Sequence, residues 1–278
     1  MRHRTRALAL LSATLLATSL APSPLAAQSS DPVQKTFFVP KDALLFGGFA
    51  LASYGVSVFD DNVAKWFQTP SNQHNRTMSD AATAFTKIQE TTLTLGGLAT
   101  YGIAKLAGST DVADVAFHAT EAVVLASLTS QVIRGPLGRA RPQVTHFEDQ
   151  YQFKAFKGFS DFDYRAYPSI HTSSAFAAAT VIVAETHRRS PKSTWYVAPI
   201  AYTIAAGPGY SRMFLGQHWA SDIFMGAFMG TFYGLRVVSY NHDHPNNPVD
   251  RFFLGGPNAG LRFNADSRGV GMTYSKQF

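Results

Sequence analysis

The run from Ser211 to Asp222 places a guanidinium (Arg212), an imidazole (His218) and a carboxylate (Asp222) within twelve residues. His218 and Asp222 stand four apart, a spacing that on a helix sets two side chains one above the other on one face. A carboxylate so placed can hold one imidazole N–H and fix which ring nitrogen is free to react. Arg212 adds a planar fork matched to a bound oxyanion. The implied chemistry is attack by a histidine on a centre carrying phosphate-like charge. Taken alone, such a His/Asp pair is most often solvated or structural.

Two further clusters accompany it. Arg134 and Arg141 are seven apart, with Pro142 next, and Pro168-Ser169-Ile170-His171 stands just before an Ala-rich apolar segment. Each has an ordinary reading: arginines near a Gly/Pro turn face water, and Pro-Ser starts a helix. Their occurrence together, in order and within ninety residues, carries the signal.

Together the three segments resemble the type-2 phosphatidic acid phosphatase and vanadium haloperoxidase superfamily. Its pattern is Lys, six residues, Arg-Pro; then Pro-Ser-Gly-His; then Ser-Arg, five residues, His, three residues, Asp. This chain reads Arg134, six residues, Arg141-Pro142; then Pro168-Ser169-Ile170-His171; then Ser211-Arg212, five residues, His218, three residues, Asp222. The likeness covers residues 115 to 240 approximately. It implies that His218 is a nucleophile forming a phosphohistidine, with Asp222 accepting its other N–H. It also implies that His171 protonates the leaving alcohol and then activates water. Arg134, Arg141 and Arg212 would clamp the phosphate oxygens, with Ser169 and the N–H groups near Ile170 and His171 completing the cradle at a helix start. Three arginines supply the positive charge, so neither metal nor cofactor is expected. Vanadate would bind as a phosphate mimic, or as the working group of a haloperoxidase, which is the alternative activity. Asp222 favours the phosphatase, because that carboxylate supports a nucleophilic imidazole.

Two positions depart from the pattern. Arg134 replaces Lys, exchanging a point charge for a rigid fork. Ile170 replaces Gly; a β-branched residue would be strained there if the backbone needs a positive φ, and would wall the pocket if it does not.

The other histidines take plainer readings. His242 and His244 lie in a polar turn region with no further clustered ligand, and no metal is expected. His118 reads as a packing or helix-surface histidine, and His74 as a loop residue.

The chain opens with Arg2, Arg4 and Arg6, continues apolar from Ala7 to Leu20 and ends in small residues at Leu25-Ala26-Ala27. This is the pattern of an export signal over residues 1–27, too short to be a good membrane span. Export to the periplasm or cell envelope follows. Those residues hold three arginines and no acids, so the formal net charge of +6 falls to +3 without them. That balance, with no basic aromatic pattern, excludes nucleic acid as a partner. The absence of cysteine means that the exported chain does not depend on disulfides.

The pattern of apolar runs predicts an all-α bundle of about six main helices, with a short C-terminal β-hairpin. Residues 28–40 read as linker, 41–245 as the bundle and 246–278 as the tail. Ala43–Phe59 is apolar, Ser79 caps a helix to about Thr92, and a further apolar run reaches Ala104. Asp111–Ile133 is a helix broken by Gly135-Pro136; Trp195–Ala206 is one stopped by Gly207-Pro208-Gly209. His171–Glu185 and Gln217–Val238 complete the set. Residues 143–167 form a long aromatic connection that reads as a substrate rim, with Asp161, Asp163 and Arg165 either contacting substrate or solvated. Strands at Gly260–Asn264 and Gly269–Phe278 make the hairpin. The best charge-free runs are shorter than a full span, yet Gly, Ala and Phe dominate the helices. The reading is therefore an enzyme associated with or embedded in the membrane and acting on a phosphorylated lipid. A soluble periplasmic non-specific acid phosphatase acting on small phosphate esters is the alternative. Oligomeric state is not legible.

Overall fold

The computed structural model describes residues 36–245, 247–255, 259–266 and 269–276. The export signal at 1–27 and most of the linker at 28–40 lie outside the described residues. Among the described residues ten α-helices precede a hairpin: α1 (Pro40–Ser57), α2 (Asp60–Phe67), α3 (Pro70–Gln73), α4 (Arg76–Phe85), α5 (Glu90–Leu106), α6 (Thr110–Leu137), α7 (Ile170–Arg189), α8 (Thr194–Phe214), α9 (Ala220–Asp243) and α10 (Pro248–Phe253). Strands β1 (Ala259–Asp266) and β2 (Gly269–Lys276) pair antiparallel, with Leu261 opposite Tyr274. The fold is the expected helical bundle, six of its helices long, with a C-terminal hairpin.

Helix α7 is the axis, packed against α9, α6 and α8, while α5 lies on α6 and α1 on α9. Its contact with α9 is made close by glycines one turn apart. A Cβ on Gly230 would meet the Ser173 carbonyl at 2.2 Å, and one on Gly226 the Ser169 carbonyl at 2.6 Å. The α6 face meets α7 through hydroxyl pairs, Ser127 with Ser174 at 2.8 Å and Ser130 with Ser173 at 3.0 Å. Val123, Val181, Met229 and Val237 fill the space between them.

Helix boundaries differ from the sequence reading where tertiary contacts override local signals. Helix α6 does not break at Gly135-Pro136 but runs to Leu137, ending at Gly138 with φ 60°. The connection that follows folds back onto this end, where Phe156 N–H bonds the Pro136 carbonyl at 2.7 Å and Lys154 N–H the Gly138 carbonyl at 2.8 Å. Helix α8 likewise continues through Gly207-Pro208-Gly209 to Phe214. These glycines serve packing: a Cβ on Gly207 would meet the Phe85 ring at 2.1 Å. Helix α4 is capped by Asn75, whose side chain accepts from Met78 N–H, rather than by Ser79, and ends at Phe85 before α5 begins.

Candidate active site

Three arginines converge from three elements. Arg134 lies in the last turn of α6, Arg212 in the last turn of α8 and Arg141 just ahead of the short helical turn Pro142–Thr145. All are buried, Arg141 at 1% exposure. The side-chain carbonyl of Gln217 accepts from both Arg141 Nη1 and Arg212 Nη2, setting the two guanidiniums side by side. The Phe162 ring covers Arg141 with 3.8 Å from Cζ to the ring centroid.

His218 is 2% exposed and stands beside this cluster. It is not on a helix, because α9 begins only at Ala220. The one-face arrangement with Asp222 is therefore replaced by another. Asp222 sits in the first turn of α9, where Oδ2 accepts from Trp219 N–H at 2.7 Å and Oδ1 from Arg139 Nη1 at 2.5 Å. His218 Nδ1 is 3.5 Å from Asp222 Oδ2, an ion-pair distance rather than a hydrogen bond. The Ala166 carbonyl acts on the His218 ring only weakly, as the smallest influence on its protonation. Asp222 thus braces the helix start first and approaches the imidazole second.

Ser169 is the N-cap of α7 and fully buried, and its N–H donates to the Asp222 carbonyl at 3.1 Å, tying the starts of α7 and α9 together. Its hydroxyl accepts from Thr172 Oγ1 at 3.1 Å instead of bonding the helix's first N–H groups. Ile170 is the first residue of α7, 3% exposed and without a positive φ. The strain considered for this position does not arise, and Ile170 offers the same backbone N–H a glycine would. His171 follows in the first turn. Among the described residues, His171 Nδ1, His218 Nδ1 and the Nε atoms of Arg134, Arg141 and Arg212 are buried without a hydrogen-bond partner. So dense a set of unpaired donors is costly unless an anion satisfies it.

The electrostatics agree with that geometry. Burial, then Arg141, Arg212 and Arg134, hold the His218 imidazole well below its ordinary 6.5, in the neutral form a nucleophile needs. Burial and then Arg212 push His171 down to about 2. Burial, Arg212 and Arg134 bring Arg141 down to about 9, still charged at neutral pH. The structure therefore brings together Arg134, Arg141, Arg212, His171, His218, Asp222 and the 169–171 helix start.

Several contributors were not foreseen. Arg139 donates to Asp222, to Ser221 Oγ at 2.8 Å and to Asp60 Oδ2 at 2.8 Å, all buried. Gln217 aligns two arginines, and Glu90 at the start of α5 acts electrostatically on both Arg134 and Arg212. Arg139 could have been flagged from Gly138-Arg139-Ala140-Arg141; no local signal marks Asp60 or Glu90. In the rim, Arg165 bonds the Gly158 and Phe159 carbonyls and so holds the loop, while the Asp163 carbonyl accepts from Arg141 N–H. Asp161 accepts from Asp163 N–H and pairs with Lys157. Tyr151, Phe153, Phe156, Phe159 and Phe162 stay exposed along this connection. His242 is not without clustered ligands and His118 is not at the surface; both meet Glu185, at 2.8 and 2.9 Å, remote from the site above.

Residues 116–245 match the sequence model of the PAP2 superfamily. A lipid A 1-phosphatase of Porphyromonas gingivalis is 45% identical over 69 residues, 25% of this chain and 15% of that protein. Lipid A 1-phosphatases of Rhizobium johnstonii and Rhizobium etli are 31% identical over 115 residues and 32% over 121, or 42% and 47% of their lengths and 41% and 42% of this chain. The chain thus spans less than half of each curated relative it matches. The crystal structure of the first transmembrane PAP2 type phosphatidylglycerolphosphate phosphatase from Bacillus subtilis aligns with 68% of this chain and 96% of its own, at 21% identity and a TM-score of 0.34.

Proposed function

The chain belongs to the PAP2 superfamily, and from that membership we propose that it is a metal-independent phosphatase of lipid phosphates, working through a phosphohistidine on His218. The observation that carries the reading is the buried imidazole of His218 beside three arginines whose buried Nε atoms have no hydrogen-bond partner among the described residues. Phosphate oxygens would satisfy Arg134, Arg141, Arg212 and the α7 first-turn N–H groups. The free nitrogen of His218 attacks phosphorus as the P–O bond to the leaving alcohol breaks. His171 delivers the proton to that oxygen, having gained it once the phosphate offsets the arginine charge. Water, giving its proton to His171, then attacks phosphorus; the new P–O bond forms as the N–P bond to His218 breaks, and inorganic phosphate leaves. Arg139 holds Asp222, and Asp222 the start of α9.

A lipid substrate is favoured by the exposed aromatic rim and by apolar side chains on outward helix faces, among them Leu44, Leu51, Ile103, Leu128, Val132 and Ile200. These suit association with a membrane. Helix α6 is, among the described residues, long and apolar enough to cross one. The relatives named lipid A 1-phosphatases point to a glycolipid phosphate. Export by residues 1–27 would place the enzyme at the cell envelope.

The test compares the purified chain and His218→Ala on lipid A, phosphatidic acid and a chromogenic phosphate ester, with vanadate as inhibitor. Turnover by the parent, loss in the variant, vanadate block and preference for a lipid are expected. Equal turnover in both proteins removes His218 as nucleophile; preference for the soluble ester replaces the lipid reading with a non-specific acid phosphatase. Bromide oxidation by peroxide that needs added vanadate would replace hydrolysis with the haloperoxidase alternative.

A further inference from the structure

We propose that His118, Glu185 and His242 form a second site, which binds one divalent transition-metal ion at the end of the bundle away from the phosphate cradle. His118 comes from α6, Glu185 from α7 and His242 from α9, and one ligand atom of each lies within 4.8 Å of the others. His118 is sixteen residues before Arg134 on α6 and Glu185 fourteen after His171 on α7. Helical rise separates the two sites by about 20–25 Å. Neither site can therefore be an extension of the other.

The donor set is chemically apt. Two imidazoles and one carboxylate are ligands suited to zinc, with a fourth position left open. Glu185 Oε1 receives His118 Nδ1 at 2.9 Å and His242 Nε2 at 2.8 Å, so both nitrogens converge on one carboxylate oxygen. The other carboxylate oxygen is held by Arg189, which fixes the rotamer and leaves Oε1 for the ion. Asp250, from α10, lies 3.5 Å from His118 Nε2 and has a buried Oδ1 without a partner. A carboxylate behind the distal nitrogen of a ligating histidine is the usual way to fix the ring and raise its basicity. On the open side, a cavity of about 350 Å³ is lined by Glu185, Arg188, Arg189 and His242. It gives an ion a route in and room for an exchangeable ligand, which the two arginines would make an anion.

Binding is balanced by proton release. His118 loses the Nδ1 proton that it shares with Glu185 and keeps Nε2–H towards Asp250. His242 presents Nε2 to the ion and carries its proton on Nδ1. The ion thereby joins α6, α7 and α9 at the end where the tail docks, since Tyr101 and Lys105 of α5 bond the carbonyls of Phe253 and Leu254.

The test uses the untagged full chain, stripped with chelator and desalted, then titrated with Zn²⁺ and with Co²⁺. One zinc retained per chain, and visible Co²⁺ bands of a four-coordinate site, are expected for the parent and for His218→Ala. His242→Ala, whose side chain is partly exposed and so tolerates truncation, is expected to weaken zinc at least ~100-fold while keeping the parent's metal-free melting temperature. Glu185→Gln is expected to weaken it similarly. A parent that retains no zinc, or a His242→Ala variant that retains as much, overturns the proposal and leaves a cluster of ion pairs only. Loss of zinc in His218→Ala would place the ion in the phosphate cradle and overturn it equally. The readout is metal content, so the outcome does not depend on the phosphatase reading.

Discussion

Arg139 Nη1 donates to Asp222 Oδ1 at 2.5 Å, and both side chains are buried to within 3% of full exclusion. This pair, at 2.5 Å against 3.5 Å for His218–Asp222, is the shorter of these two contacts of Asp222. Asp222 in turn caps α9 through Trp219 N–H, so Arg139 fixes where α9 begins and with it the loop that carries His218. Asp60 completes the lock from α2 through Arg139 and the N–H and hydroxyl of Ser221. Removing one member of a buried ion pair strands the other and typically costs about 3–5 kcal/mol. Arg139→Ala should therefore lose about that much stability in urea unfolding and most of its turnover. Asp60→Asn loses the charge and one of the two acceptor oxygens but keeps the other, and should lose less of both than Arg139→Ala. An Arg139→Ala protein as stable and active as the parent would make this lock ornamental.

Gln217 offers a second test because two cations share its one oxygen. Gln217→Ala should free both guanidiniums and lower kcat/KM by about 10–100-fold, the equivalent of a charged hydrogen bond at about 1.5–3 kcal/mol. Gln217→Glu should do something different. A carboxylate between Arg141 and Arg212 would occupy the charge meant for phosphate, raising the melting temperature while abolishing vanadate inhibition. Melting curves with and without vanadate separate the two variants. A Gln217→Glu protein still inhibited normally would show that Arg141 and Arg212 do not take the anion.

The histidine environment fixes the sign of the pH response. His218 and His171 are both held below the ordinary 6.5 by burial and by the arginines. As pH falls below 6.5 the unfolded chain takes up protons at these residues and the folded chain does not. Their contribution is therefore fully present above 6.5 and declines below it. A bound dianion offsets the arginines and raises both values, so anion binding should take up protons. Sulfate does not titrate between pH 5 and 7 and is the clean probe. Calorimetry at pH 6 in two buffers of different ionisation heat should show net proton uptake on sulfate binding in the parent, and less in His171→Ala. Saturation at ~100 times Kd should stabilise the fold by about 2.7 kcal/mol. Sulfate binding without proton uptake would contradict the raised histidines.

How much of this was legible depends on how local each signal is. Arg134, Arg141, His171, Arg212 and His218 were readable because each lies in a short segment of fixed spacing, and the structure brings the segments together. The hairpin was readable from alternation and glycine; β1 extends a little beyond its expected ends, and the expected end of β2 at Phe278 lies outside the described residues. Gly135-Pro136 and Gly207-Pro208-Gly209 misled because breaker residues at buried, closely packed positions are chosen for small size. Donors or rings from 20 to 120 residues away, Phe156 for the first and Phe85 for the second, decide there. Asp60, Glu90, Asp250 and the His118–Glu185–His242 meeting had no local pattern at all, since their partners lie on other helices.

Ile170 supplies the last prediction. A glycine would be needed here if the chain turned with a positive φ, and the backbone instead enters α7 in ordinary helical geometry. The side chain is 3% exposed and packs at the point where α7 meets the cradle. Ile170→Gly should therefore not relieve strain. It should remove buried apolar contact and add the flexibility of glycine in a helix, costing about 3–5 kcal/mol together. The helix start still offers the same N–H, so the chemical step should change little when substrate is small, and substrates with a bulky leaving group should gain most from the added space. Urea unfolding, with kcat/KM on a small ester and on a lipid phosphate, measures both effects. If Ile170→Gly were more stable than the parent, the position would be strained and the helical geometry assigned to it wrong.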